Sequence, residues 1–413
     1  MRPPARLLAG AGCAAVLLLP AAPAVAAAPA LPSHPHAVPA ADRTKGQKLP
    51  GMPSALDPQD GQAACTPASE ETAKKQDWSR QRLDLDRLHA HGTGAGMTVA
   101  LIDTGVAPGA AGLDGRVTAT GDAAEDCVGH GTFLAGLIAG DGGDNPRMAG
   151  VAPRAKILAL RGTDRRGTPD AGLVTAAVRT ATDAGVDVIA VGVALPRRDA
   201  RLTRAVADAR RRGVVVVAAA TPDPPRLGAD DVPPRTYWPA GEPGVLSVAD
   251  MLPVGTRPDS GPPTRGIDLV APGAGVVSGG PRGDGHYLGG GASVAAAYAA
   301  GAAAVVRAAH PDDTTDTVIR RLTATAYPAD IPQLDPYAAV TTLLSGPDRN
   351  AERAAAPVTV RDTSAADHAT GRATLFVLLG SAAVLAALWA GYALSRARGR
   401  GWRPPPVPVT PKD

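Results

Sequence analysis

The chain has 413 residues, 45% hydrophobic, 20% charged and 3% aromatic, which describes a globular protein and excludes a disordered or collagen-like one. Lys and Arg number 42 against 39 Asp and Glu, a formal net charge of +3, too even for a protein that coats nucleic acid. Three Cys with no Cys-x-x-Cys pair exclude a dense disulfide scaffold and a zinc ribbon.

At the amino end, Arg2 and Arg6 precede an uncharged stretch containing Val16-Leu17-Leu18-Leu19, followed by Ala24-Val25-Ala26. A basic start, an apolar middle and a small-residue cleavage site predict a secretory signal peptide over residues 1–26. Cys13 lies inside its apolar run and is expected to leave with it. Residues 27–77 are rich in Pro and Ala and carry no sustained apolar period, so they read as an extension.

From Trp78 onward the pattern changes. Apolar runs at 97–102, 155–160, 186–193 and 214–220 predict buried strands, and 132–139, 172–184 and 202–212 between them read as helices. Shorter strands are expected at Ser247-Val248 and Leu269-Val270, and an Ala-rich helix at 293–309, stopped by Pro311. Strands alternating with helices imply right-handed crossovers and a parallel sheet covered on both faces, an α/β domain over 78–344.

Beyond a linker at 345–372, the 22 residues 373–394 contain no charge. As a helix they would span roughly 33 Å, enough to cross a bilayer. Arg396, Arg398, Arg400 and Arg403 follow, and the positive-inside rule places the basic tail 395–413 in the cytoplasm. The expected product is a single-pass membrane protein whose α/β domain lies outside the cytoplasm. There Cys65 and Cys127 are expected to be bridged, closing a loop of about 62 residues worth ~4 kcal/mol on a chain-entropy account.

In a parallel α/β sheet, reactive groups gather at the carboxyl ends of strands and the amino ends of helices. Asp103 ends a predicted strand, His130 stands in Gly129-His130-Gly131-Thr132 before a helix, and Ser293 in Gly291-Ala292-Ser293 opens the Ala-rich helix. A serine hydroxyl becomes a nucleophile when an imidazole takes its proton and a carboxylate orients that imidazole. Asp, His and Ser at three turns supply these parts. An esterase is disfavoured, because no Gly-x-Ser-x-Gly elbow surrounds Ser293 and the order is Asp, His, Ser. No loop has the ligand spacing of a calcium site, so neither metal nor cofactor is expected.

Three stretches, Val99-Ala100-Leu101-Ile102-Asp103-Thr104-Gly105, Gly129-His130-Gly131-Thr132 through Gly140, and Gly291-Ala292-Ser293-Val294, resemble the signatures of subtilisin-like serine proteases. Gly150-Val151-Ala152-Pro153, Tyr237-Trp238-Pro239-Ala240 and Val270-Ala271-Pro272-Gly273 are similar to that family's connecting motifs and fall in the same order. Signal peptide, Pro-rich extension, a Cys close before His130 and a carboxyl-terminal apolar helix with a basic tail resemble the mycosins, membrane-anchored proteases associated with type VII secretion. That resemblance implies a subtilisin-like fold, catalysis by Asp103, His130 and Ser293, a Cys65–Cys127 bridge, an extension wrapped on the catalytic domain, and a peptide or protein substrate.

The chain departs from the family pattern in one respect that matters. Where the family carries an oxyanion-binding Asn after a buried strand, this chain reads Val217-Ala218-Ala219-Ala220-Thr221-Pro222, leaving the Ser293 backbone N–H and the Thr221 hydroxyl as candidate donors. Losing one such donor typically costs ~10² to 10³ in rate. Smaller departures are Ala292 before the serine, Ala297 after it, and Gly192-Val193-Ala194 in the strand expected beside the substrate. Two functions follow: a membrane-anchored serine endopeptidase slowed by the missing Asn, or a protease-fold component of a secretion complex with impaired catalysis.

Overall fold

The computed structural model describes residues 48–57, 64–119, 121–143, 145, 148–223, 235–259, 261, 263–344 and 364–401. The expected signal peptide, the extension before residue 48, the linker up to residue 363 and the end of the basic tail lie outside the described residues. The chain divides into two compact units, with the boundary after Thr342.

The first unit opens with two short helices, α1 (Trp78–Arg82) and α2 (Leu85–His89). The Asp77 side chain caps α1 and pairs with Arg80 at 2.9 Å. Arg80 is 1% exposed and donates also to the carbonyls of Met148, Ala149 and Val277, so a buried charge is compensated by one carboxylate and three carbonyl dipoles.

The strands β1 (Thr98–Asp103), β2 (Val117–Ala119), β3 (Lys156–Arg161), β4 (Val188–Val191), β5 (Val215–Ala219), β6 (Leu246–Met251) and β7 (Leu269–Pro272) form one sheet in the order β2-β3-β1-β4-β5-β6-β7. Every neighbouring pair is parallel. Successive residues of a strand face opposite sides. Val99 and Leu101 therefore join one core while Ala100 and Ile102 join the other.

Helices cover both faces, as a parallel sheet requires. On one side lie α4 (Ala171–Asp183) and α5 (Ala200–Arg211), each capped by an Asp immediately before it, Asp170 and Asp199. On the other lie α3 (His130–Ala139) and α6 (Ala292–Ala309), with α7 (Thr315–Ala324) and α8 (Pro336–Thr341) packed behind α6. The Ala side chains of α6 let it lie close across β4 to β7, and they leave 15 of its 18 residues buried. An antiparallel pair, β8 (Val276–Gly279) and β9 (His286–Gly289), leads into α6.

The subtilisin-like α/β sheet expected from the sequence is the fold observed. The strand and helix ends move by a few residues, and α1, α2, β2, β8, β9, α7 and α8 are additions; all but α7 are short, with three to six residues each. Chain order reverses at β1, whose neighbours β3 and β4 are joined by α4 across it. A crevice at the carboxyl edge of a parallel sheet forms at such a point.

Described parts of the extension lie along this unit. Met52 N–H donates to Leu288 O at 2.7 Å and Leu288 N–H to Pro50 O at 2.8 Å, so residues 50–52 run beside β9. Cys65 is bonded to Cys127 across a separation of 62 residues. Thr66 adds hydrogen bonds from its N–H to Cys127 O and from its hydroxyl to Val128 O.

The second unit contains α9 (Ser364–Gly399). From His368 to Gly399 it is long and apolar enough to cross a membrane, and none of its most apolar stretch is buried against protein. Helix α6 passes the same length and hydropathy test but is 83% buried, which marks it as a core helix.

Candidate active site

Asp103 is the last residue of β1, on the strand where the sheet order reverses, and is 1% exposed. Its Oδ1 accepts the Thr104 N–H at 2.8 Å and lies 2.8 Å from Nδ1 of His130. The other oxygen, Oδ2, has no hydrogen-bond partner. It rests where a Cβ on Gly192 would stand, so glycine in β4's continuation is what leaves room for the carboxylate.

His130 is the first residue of α3. Gly129 before it has φ +91, a left-handed conformation that glycine adopts freely. Gly131 after it packs so tightly on the Gly105 carbonyl that a Cβ would overlap the oxygen. This close approach sets the distance from α3 to the end of β1.

Asp126, which the sequence reading passes over, braces the two elements. Its Oδ1 accepts from the Thr104 hydroxyl at 2.9 Å and Gly129 N–H at 2.7 Å, and its Oδ2 from Thr132 N–H at 2.8 Å and the Thr132 hydroxyl at 2.7 Å. Thr104 Oγ1 in turn accepts the Gly131 N–H at 2.8 Å. One carboxylate thereby satisfies helix N-terminal donors on α3 and holds the neighbour of Asp103. Burial pushes the Asp126 carboxyl up, against the downward pull of these hydrogen bonds. The next residue is the bridged Cys127, which anchors the brace.

Ser293 is the second residue of α6 and fully buried, with Oγ 3.2 Å from His130 Nε2. Asp103, His130 and Ser293, separated by 27 and 163 positions, form one hydrogen-bonded chain. Thr221 is 1% exposed, its hydroxyl finds no partner, and it does not line the cleft beside His130.

The side chain that does meet Ser293 is Asp223, two residues further on. Its Oδ1 accepts the Ser293 N–H at 3.0 Å, and Oδ2 lies 2.6 Å from Ser293 Oγ and 3.0 Å from His130 Nε2. The only sequence signal for it is an acidic residue just past the position where the family's Asn is sought, in the Pro-rich stretch after β5.

His130 thus stands between two carboxylates. Burial opposes its charged form, but attraction and hydrogen bonding to Asp103, then to Asp223, outweigh burial and hold the imidazole well above its usual value. Asp250 shares the cleft, its carboxyl pushed up mainly by burial and also by Asp223, while Arg257 pulls it down. Met52, Pro53 and Ser54 of the extension form one wall of this cleft. No group of three or more His, Cys, Asp or Glu able to hold a metal occurs among the described residues.

Residues 94–369 match the model of the Subtilase family. Mycosin-3 of Mycobacterium tuberculosis is 29% identical over 387 residues, covering 75% of this chain and 83% of that protein. A solved structure of MycP3, a protease from the type VII (ESX-3) secretion system, is 30% identical with a TM-score of 0.57, covering 71% of this chain and 97% of the other. A chain in the periplasmic assembly from the ESX-5 inner membrane complex is 25% identical with a TM-score of 0.60, covering 77% and 96%.

Proposed function

Since the chain belongs to the subtilase family, and is mycosin-like within it, we propose that it is a membrane-anchored serine endopeptidase of a type VII secretion complex, with Asp103, His130 and Ser293 as its catalytic residues. The observation that carries the reading is the chain of contacts from Asp103 through His130 to Ser293, at 2.8 and 3.2 Å. Similarity to proteins of ESX assemblies supports the partner, and the apolar stretch of α9 with its Arg-rich end supports the anchor.

In this reading Ser293 Oγ attacks the scissile carbonyl carbon as its proton passes to His130 Nε2, and the carbonyl π pair becomes an oxyanion. Asp103 keeps the imidazole in the tautomer with hydrogen on Nδ1 and stabilises its charged form. Collapse of the intermediate expels the amine, which takes the proton back from Nε2, and leaves an acyl-serine that water hydrolyses by the same steps. The Ser293 N–H, at the amino end of α6, is the backbone donor for the oxyanion. Catalytic groups outside the cytoplasm and the basic tail within it complete the proposed topology.

A fluorophosphonate probe tests the reading, because it phosphonylates only an activated serine, whose Oγ bonds to phosphorus as fluoride leaves. The full-length chain should label, and Ser293→Ala should abolish the label while leaving the thermal midpoint within a few degrees. Equal labelling of both proteins would overturn the assignment. A second reading, a protease-fold component of the complex with its chemistry suppressed, is favoured by one observation, the carboxylate of Asp223 against Ser293.

A further inference from the structure

Three donors belonging to three parts of the acyl-transfer machinery converge on one side chain. The Ser293 N–H, the Ser293 hydroxyl and His130 Nε2 all lie within 3.0 Å of the Asp223 carboxylate, and that side chain is 6% exposed. Acyl transfer requires a negatively charged oxygen to arise at hydrogen-bond distance from the Ser293 N–H. A negatively charged oxygen already stands there. From this geometry, and resting on the serine-protease reading above, we infer that Asp223 is a built-in occupant of the oxyanion site that holds the enzyme latent until a substrate carbonyl displaces it.

Two consequences of the contacts reinforce the latency. The Ser293 hydroxyl has a closer acceptor in Asp223 at 2.6 Å than in His130 at 3.2 Å, so the proton that must reach the imidazole is directed to a carboxylate. A charge-assisted O–H···O⁻ contact at that length is among the stronger hydrogen bonds. The protonated form of the base is also favoured, since Asp223 adds to Asp103 in raising His130 against burial. A protonated Nε2 accepts nothing.

Among the described residues, the ionisable and charged groups around Asp223 are His130 from α3, with Asp103 at the end of β1 behind it, and Asp250 from β6 with Arg257 in the loop that follows. Asp250 lines the same cleft as Asp223, and the two carboxylates disfavour each other's charge. The backbone of Gly291 permits the arrangement, for a Cβ there would overlap Asp223 Oδ1.

Substituting Asp223→Asn keeps the shape, replaces the anion with an amide able to donate a hydrogen bond, and so turns the occupant into an oxyanion donor. Asp223→Ala removes the anion and supplies no donor. Labelling rates with a fluorophosphonate are to be measured for the full-length chain in detergent and for both variants from pH 5 to 10, with His130 followed by its imidazole NMR resonances. Asp223→Asn should label about 10²-fold faster than the parent, with Asp223→Ala between them. In both variants the acid limb of the rate profile and the His130 titration should move to lower pH.

If Asp223→Asn and Asp223→Ala both fold, label no faster than the parent and leave the His130 titration in place, the inference is overturned and the protease reading stands on the parent's own label. If no protein labels, Asp223→Asn included, the protease reading itself fails and the inference with it. A variant that does not fold is recognised by its lost melting transition, and the other then decides.

Discussion

His130 ties the proposed catalysis to stability. Its folded-state value lies well above the ordinary 6.5 because Asp103 and Asp223 outweigh burial. A group raised on folding contributes stability that is fully present below its unfolded value and is lost as pH rises through its folded one. The thermal midpoint of the full-length chain should therefore fall as pH is raised from 6.5 through the alkaline range. In Asp223→Asn the fall should begin at the same pH but be smaller and complete at lower pH, which melting curves across about pH 6 to 10 would check. Asp126 sits at the same scale: four hydrogen bonds to it join the loop after β1 to the start of α3. The hydrogen-bond partners of Asp126 could not be read from residue types alone.

The elements themselves were largely legible. Runs such as Val215–Ala219 are apolar on both faces, as a central parallel strand must be. Elements outside the doubly covered sheet carry weaker signals: β8 and β9 are four residues each, and neither alternates between buried and exposed positions. Close packing between elements carries the sharpest prediction at this scale. Gly131→Ala would set a methyl on the Gly105 carbonyl, forcing α3 away from β1. It should destabilise by ~1–3 kcal/mol or more and lower fluorophosphonate labelling at Ser293 by at least tenfold, since His130 leads the displaced helix. Denaturant unfolding and labelling measured together would test it, and unchanged values in both would contradict the packing argument.

At the scale of the molecule, a covalent link and an apolar helix organise the chain. The Cys65–Cys127 bond holds the extension to the loop that carries Asp126 and leads to His130. The second unit places an exposed apolar helix after the folded domain. Expressed without residues 364–413, the chain should move from the membrane fraction to the soluble one and keep its labelling by the probe. Retention in the membrane after that deletion would show that α9 is not the anchor.

By itself the sequence determined the fold class and the identities of Asp103, His130 and Ser293 as candidates. The signals for these are local: an apolar run that ends at a turn, glycines that permit a close approach, a small residue before a helix. Each acts over a few residues and survives in one dimension. The tertiary structure alone decided what meets Ser293. Four residues past the end of β5, the chain brings the Asp223 carboxylate, rather than the Thr221 hydroxyl, to the N–H at the head of α6. An oxygen's place to within an ångström depends on contacts between residues 70 positions apart, and no local pattern encodes it.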